Sequence, residues 1–254
     1  MDDYDLQRLS RHILLDEFGL EGQRRVLESH VAVVGLGGLG CPAALYLAVS
    51  GVGKLTLIDP DVVDLTNLQR QVLHTQDRIG EPKVLSAQKT IQERTSRTVV
   101  LPKVDRLTPD NAEDLFSDVT LVLDCSDNFA TRHLINRTCY RLRKPLVSGA
   151  AVRFSGQLSV FDFGAPNQPC YHCLFPEEGE VEEMRCALMG VFSPLTGVIG
   201  SLQACEAIKL LAGIGPRPPS GGELILFDAL QEGFRKIKFS RDPACPVCGI
   251  PAYV

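Results

Sequence analysis

The sequence lacks three things that would narrow its role at once. It lacks a positive charge balance: 26 lysines and arginines stand against 31 aspartates and glutamates, a net charge of −5. Binding of a polyanion rests on cationic surface, so no nucleic-acid partner is expected. It lacks an uninterrupted apolar run of the ~18–20 residues that a membrane span needs, so no membrane partner is expected either. Its nine cysteines are an odd number and cannot all pair within one chain. The opening "MDDYDLQRLSRHILL" also has no basic segment leading into an apolar one, the mark of a secretory leader. A reduced, cytoplasmic protein is the expectation, with close-spaced cysteines read as metal ligands rather than disulfides. There is no internal repeat and no low-complexity segment.

What is present is alternation. "VAVVG" (31–35), "KLTLID" (54–59), "TVVLPKV" (98–104) and "VTLVLDC" (119–125) read as strands. Helical patterns separate them: one ending near Gly51, one at 80–94 with Pro82 in its first turn, a short one at 109–116, and one at 128–143. "PLVSGAA" and "GQLSVFD" follow as strands, then a mostly apolar, buried helix at 195–213, then strands "ELILFDAL" and "FRKIKFS". This order predicts an α/β fold: a doubly wound, Rossmann-like, mostly parallel sheet through residue 150, extended by antiparallel strands toward the C-terminus. Residues 164–193 carry no clear periodicity, and long stretches of that kind are often functional.

The first strand runs into "GLGGLG". Gly35, Gly37 and Gly40 fit G-x-G-x-x-G between a strand and a helix, with Asp59 ending the next strand, 24 positions after Gly35. The helix start offers free N–H groups to a phosphate, and an acid at that place accepts bonds from ribose hydroxyls. Gly38 is an extra glycine that would let the backbone come still closer to a ligand. The motif alone leaves NAD and ATP both open. Asn67, Arg70 and Lys83 favour a triphosphate, whose greater charge needs more cations. Asp127 follows the fourth strand, beyond the carboxyl end where such sheets bind ligands. A carboxylate there suits Mg²⁺; it also suits the N-cap of the next helix. There is no catalytic His or Tyr constellation of the kind a dehydrogenase requires.

"CYHC" and "CPVC" are two C-x-x-C turns. Cys170, Cys173, Cys245 and Cys248 would close a tetrahedral, structural zinc shell, with a redox dithiol as the rival reading. His172 lies inside the first turn but is not needed as a ligand. Cys41, Cys125, Cys139 and Cys205 fall in helical or strand patterns and read as small core residues.

Taken in order, "SRHILL", "VVGLGGLG", "NLQRQ", "PKV", "LVLDCSDN", "PLVSGAA", "CYHCL", "GVIGSLQACEAIKLLAG" and "CPVCG" make the chain resemble the MoeB/ThiF/HesA family, relatives of the ubiquitin-activating enzymes, over essentially its whole length. The resemblance is nearer the molybdopterin branch in "PLVSGAA" and "FDAL". It implies one adenylation domain across residues 1–254: a helical arm (1–30), a nucleotide-binding core (31–150) and a carrier- and zinc-binding part (151–254). The implied reaction is ATP-dependent adenylation of the C-terminal Gly-Gly carboxylate of a small ubiquitin-fold sulfur-carrier protein. Pyrophosphate is released, and the carrier is readied for sulfur transfer in molybdenum cofactor biosynthesis. The same chemistry on a thiamine sulfur carrier stays open, as do adenylation of a modified tRNA base, weakly disfavoured by the acidic charge, and a non-catalytic nucleotide-binding module.

The resemblance further implies ATP as substrate, Mg²⁺, a structural Zn²⁺, a sulfur donor of the cysteine desulfurase or rhodanese type, and a homodimer. By the same resemblance Gly38 lies in the phosphate loop and Asp59 takes the ribose. Asn67, Arg70 and Lys83 contact the triphosphate, Asp127 holds Mg²⁺, and Asn128 is its neighbour at the nucleotide. Arg11 crosses a dimer interface into the partner's ATP site. Cys186 matches a cysteine that some members link to the carrier. Five nearby glutamates would discourage its thiolate and Arg185 would favour it, so a covalent role and a spectator role both stay open.

Overall fold

The computed structural model describes residues 1–165, 167–177, 189–215 and 221–249. Three short helices come first: α1 (Asp3–Arg8), α2 (Ser10–Ile13) and α3 (Gly19–Glu28). The alternating core is β1 (His30–Val34), α4 (Gly40–Val49), β2 (Lys54–Ile58), α5 (Lys83–Arg94), β3 (Val99–Lys103), α6 (Ala112–Ser117), β4 (Leu121–Asp124), α7 (Phe129–Leu142) and β5 (Leu146–Val152). Then come β6 (Ser155–Phe161), α8 (Tyr171–Leu174), α9 (Ser193–Ala212), β7 (Gly222–Asp228) and β8 (Gly233–Phe239).

All eight strands form one sheet in the order β3-β2-β1-β4-β5-β6-β7-β8. The pairs from β3 to β5 are parallel. Those from β5 to β8 are antiparallel. The chain reverses direction across the sheet between β1 and β4, because β2 and β3 build outward on one side and β4 and β5 on the other. Ligands of open parallel sheets bind at such a switch point.

The strands are apolar on both faces because helices cover both. Val31, Val33, Leu55, Leu57, Leu121 and Leu123 join the core beneath α3, α4, α5 and α9. The alternate residues Ala32, Val34, Ile58 and Val122 join the opposite core with α6, α7 and the cysteine turns. Period-two alternation thus divides one strand between two cores.

Three expectations about elements are corrected. α9 has 20 residues with mean hydropathy 1.3 over its most apolar window, long and apolar enough to cross a membrane despite its scattered polar residues. Half of that window is buried, against α4, β5, β6 and α3. Cys205 is exposed on α9 rather than in the core; a helix apolar nearly all round does not tell the sequence reader which side faces in. Pro82, with an extended ψ of 130°, caps α5 from outside instead of sitting in its first turn.

The glycine turn is fixed by contact. Gly35 has φ +92°, and a Cβ there would lie 2.7 Å from the Cys125 carbonyl oxygen. A Cβ on Gly40 would lie 1.8 Å from the Gly35 carbonyl oxygen. Gly40→Ala is therefore expected to lower unfolding free energy by about 3 kcal/mol or more, since backbone must move. Urea titration measures it; a loss under about 0.5 kcal/mol, the range of ordinary surface changes, would show that the turn yields freely.

Candidate active site

The carboxyl ends of β1, β2, β4 and β5 open on a cleft of about 520 Å³. It gathers Gly35, Gly37 and Gly38, then Asp59, Asn67, Arg70 and Lys83, then Asp127 and Asn128. Those residues come from three separate strand ends, and the parallel register alone brings them together. Gly40 lies behind the turn and shapes it. Gly38 lines the cleft, and its missing side chain also makes room for Thr196 of α9, whose Cβ would be 2.9 Å from an added methyl group. Arg11 is exposed on α2 and does not line the cleft of its own chain. Cys186 lies outside the described residues.

Asp59 is buried at the end of β2 and tied to the glycine turn. Its Oδ2 accepts from the Leu36 N–H at 2.6 Å and its Oδ1 from the Asp61 N–H at 2.8 Å. Burial raises its carboxyl above the usual range, against the lowering effect of the Lys83 ammonium. Each oxygen keeps a second lone pair for a ligand donor. Lys83 is itself buried at the start of α5 and donates to Asp61 Oδ2 at 2.9 Å. An ammonium has three donors, so this bond orients Lys83 without exhausting it. Arg70 is anchored by donating to the Thr66 carbonyl at 3.1 Å. Asn67 holds the short turn at Leu65–Asn67, its Oδ1 accepting from the Asp64 N–H at 3.3 Å.

On the other wall, the cap of α7 is Asn128, whose Oδ1 accepts from the Thr131 N–H at 2.9 Å. The capping role considered for Asp127 thus belongs to its neighbour. Asp127 is exposed at the cleft, and among the described residues its carboxylate meets only the Asn128 side-chain amide, at 3.4 Å. A carboxylate so placed is open to a cation.

Sequence reasoning missed Asp61, Gln71, Arg106 and Arg132, which also line the cleft. Asp61 stands two places after Asp59, and Arg132 stands one helical turn after Asn128; both spacings were readable. Arg132 is buried, donates to the Ser126 carbonyl, and approaches Asp124 Oδ2 at 3.9 Å. Asp124 in turn accepts from the Ser126 N–H at 3.0 Å and the Ser148 hydroxyl at 2.8 Å. The loop carrying Asp127 is thereby held from below.

Under the glycine turn, His74 accepts from or donates to Ser86 Oγ at Nδ1 (3.0 Å) and meets the Leu36 carbonyl at Nε2 (3.1 Å). The carbonyl can only accept, so Nε2 carries the proton and Nδ1 accepts. Burial lowers the His74 pKa. Cys41 and Cys125 are poor nucleophiles: burial pushes the Cys41 thiol up to about 12 and raises Cys125 as well.

The four cysteines of the two turns meet beside α7, whose Asn136 and His133 touch the first turn. Their sulfurs lie within 4.8 Å of one another, with Cys170–Cys245 at 3.7 Å and Cys173–Cys248 at 3.3 Å. A tetrahedron with Zn–S bonds of about 2.3 Å has edges of about 3.8 Å, so the cluster fits zinc. The Asp242 N–H donates to Cys173 Sγ at 3.4 Å, and Asn136 Oδ1 accepts from the Tyr171 N–H at 2.9 Å, fixing the first turn to α7. Four sulfurs gathered in one group favour a metal shell over a redox pair.

Comparison with known proteins bears on this arrangement. The model of the ThiF family matches residues 9–247. The molybdopterin-synthase adenylyltransferase of Salmonella typhimurium is 46% identical over 249 residues, 98% of this chain and 98% of that protein. The sulfur carrier protein ThiS adenylyltransferase of Escherichia coli is 46% identical over 250 residues, 98% of this chain and 97% of that protein. The solved structure of E. coli MccB with ATP superposes with a TM-score of 0.79 at 25% identity, over 98% of this chain and 76% of that one.

Two outcomes follow from the geometry. Stripping the metal with a strong chelator, or Cys248→Ser, is expected to cost about 3 kcal/mol or more and to lower the melting temperature; an unchanged melting curve would separate the cysteines from stability. His74 and His30 both have pKa values lowered, first by burial. The unfolded chain binds their protons at about pH 6.5 while the folded chain does not. Stability is therefore complete above that pH and falls as pH drops below it, by up to ~1.4 kcal/mol per pH unit per histidine until the folded pKa is reached. Urea titrations at several pH values test this, with a shallower slope expected for His74→Asn and an unaltered slope counting against it.

Proposed function

The chain belongs to the ThiF family, and from that premise we propose that it activates the C-terminal carboxylate of a small ubiquitin-fold sulfur-carrier protein with ATP. The observation that carries this is the set of charged groups gathered in one cleft with the glycine turn: the cations Arg70, Lys83, Arg106 and Arg132, and the exposed carboxylate of Asp127. A triphosphate carries more charge than a dinucleotide's diphosphate bridge and makes more use of cationic side chains placed beside a carboxylate that suits Mg²⁺. The carrier is of the molybdopterin-synthase small-subunit type, in keeping with the Salmonella relative. Equal identity to the E. coli ThiS adenylyltransferase makes a thiamine carrier the second reading.

The chemistry asks little of acid–base groups. A carboxylate is ionised at pH 7, so no base has to activate it. One of its oxygens bonds to the α-phosphorus, the bond from that phosphorus to the bridging oxygen breaks, and the electron pair leaves with pyrophosphate. The products are an acyl adenylate and pyrophosphate. Two anions must approach and charge grows on the leaving group, so catalysis is positioning and charge stabilisation. The Gly37–Gly38 backbone and the start of α4 receive phosphate oxygens. Asp59 accepts from the ribose hydroxyls. Asn67, Arg70 and Lys83 hold the triphosphate, Lys83 steered by Asp61. Asp127, beside Asn128, would hold Mg²⁺, which would supply charge neutralisation on the phosphates.

In this reading residues 31–150 hold the nucleotide and 151–254 carry the docking and zinc parts of a single unit. The functional form is a homodimer, because Arg11 stands outside its own cleft and is free to reach a partner's. Exposed Leu14, Leu15 and Leu20 beside it are apolar surface for such an interface. A separate sulfur donor, of the cysteine desulfurase or rhodanese type, would complete transfer to the adenylate. The assignment of Cys186 as a covalent link stays a proposal, tested by whether a carrier adduct disappears in Cys186→Ser.

Asp127→Ala is expected to lower ATP–pyrophosphate exchange at least ~100-fold with the fold retained, since Asp127 is exposed and carries no cap. Near wild-type exchange by a folded variant would defeat the assignment. Arg70→Ala should lower the rate by a similar order.

A further inference from the structure

Beside the cysteine cluster lies a second group of possible ligands that the zinc reading leaves unused. His133 is on the second turn of α7, His172 is inside the first cysteine turn on α8, and Glu177 follows α8. One ligand atom from each lies within 4.8 Å of the other two. His133 and His172 are 2% and 9% exposed, and Nδ1 of each is buried with no hydrogen-bond partner among the described residues. A buried ring nitrogen left unpaired is costly, and two in one place call for an explanation. The rings meet edge to face, with centroids 5.6 Å apart. Glu177 is half-exposed, and its carboxylate meets Arg137 at 2.7 Å.

We propose that His133, His172 and Glu177 form a second metal site, distinct from the four cysteines, for a divalent first-row transition ion of the zinc class. Two imidazoles and one carboxylate are a borderline donor set that suits zinc, nickel or copper and disfavours magnesium. Three protein ligands leave a position open, so the site exchanges its ion more readily than a closed four-sulfur shell. Ligand atoms around such an ion stand about 3.4 Å apart for bonds of about 2.05 Å, so the three must draw together by at most roughly 1.4 Å. Glu177 makes most of that movement. It is exposed, and the only contact that it gives up among the described residues is a surface ion pair with Arg137. Occupancy would pin α8 to α7, the helix whose first turns also present Asn128 and Arg132 to the cleft. The proposal rests on this cluster alone and stands or falls apart from the nucleotide chemistry.

The test is metal stoichiometry. Purified full-length protein is titrated with Zn²⁺ against a chromophoric chelator, and bound zinc is counted by elemental analysis after dialysis. The wild type is expected to take two equivalents, the second at least ten-fold weaker than the first. Glu177→Gln and His133→Asn are expected to keep the first and lose the second. With Co²⁺, the thiolate-to-cobalt absorption should survive in both variants while the weaker bands of a nitrogen–oxygen site vanish. One equivalent in the wild type, or two in Glu177→Gln, overturns the proposal. Glu177 is at the surface, so its variant decides the matter even if His133→Asn fails to fold.

Discussion

The site depends on one close approach. The turn after β1 and the loop after β4 touch through Gly35 and the Cys125 carbonyl, leaving no space for a side chain between them. The Cys125 N–H donates to the Val34 carbonyl at 2.9 Å, and the Gly35 N–H donates to the Ile58 carbonyl at 2.9 Å. These bonds carry the parallel ladder one step beyond the strands on both sides. Because β1 lies between β2 and β4, the glycine turn sits at the centre, with Asp59 and Lys83 on one hand and Asp127 on the other. Any larger residue at Gly35 would part the walls of the cleft as well as strain the backbone.

Beneath that contact runs a layer of buried polar groups whose bonds are nearly all made. Gln203 of α9 donates to the carbonyls of Asp124 (2.8 Å) and Val147 (3.2 Å), clamping β4 to β5 just below the Asp127 loop. Asp124 collects the Ser126 and Ser148 donors, and His74 bridges Ser86 and the Leu36 carbonyl. Such a layer fixes the loops in place before a ligand arrives, which is what electrostatic stabilisation of a transition state requires. It also explains why an apolar helix late in the chain belongs to the nucleotide site: α9 supplies both Gln203 and Thr196.

The sheet was legible because each strand is a short apolar run and each connection a recognisable helix or turn. The switch from parallel to antiparallel could be seen where helical spacers gave way to consecutive strands at β5 to β8. The glycine turn, Asp59 and the paired cysteines were legible because each is a local pattern with a fixed physical job. What stayed hidden depends on contacts between distant segments. Lys83 could be read as a cation for the phosphates, but not as a buried one already bonded to Asp61. Asp127 and Asn128 are equally good caps on paper, and only the backbone direction at the helix start chose the second. Cys205 could not be placed because α9 is apolar on most sides. His133 and His172 are 39 positions apart in sequence, and nothing local hints that they meet.

The central claim is that the cleft moves the α-phosphate of ATP, with its adenosine, onto a protein carboxylate. Offer the enzyme a carrier protein ending in Gly-Gly together with ATP carrying radioactive phosphorus at either the α or the γ position. The account predicts acid-stable, base-labile label on the carrier from α-labelled ATP alone, with the γ label recovered in pyrophosphate. Label reaching the carrier from the γ position, or from neither, would contradict it.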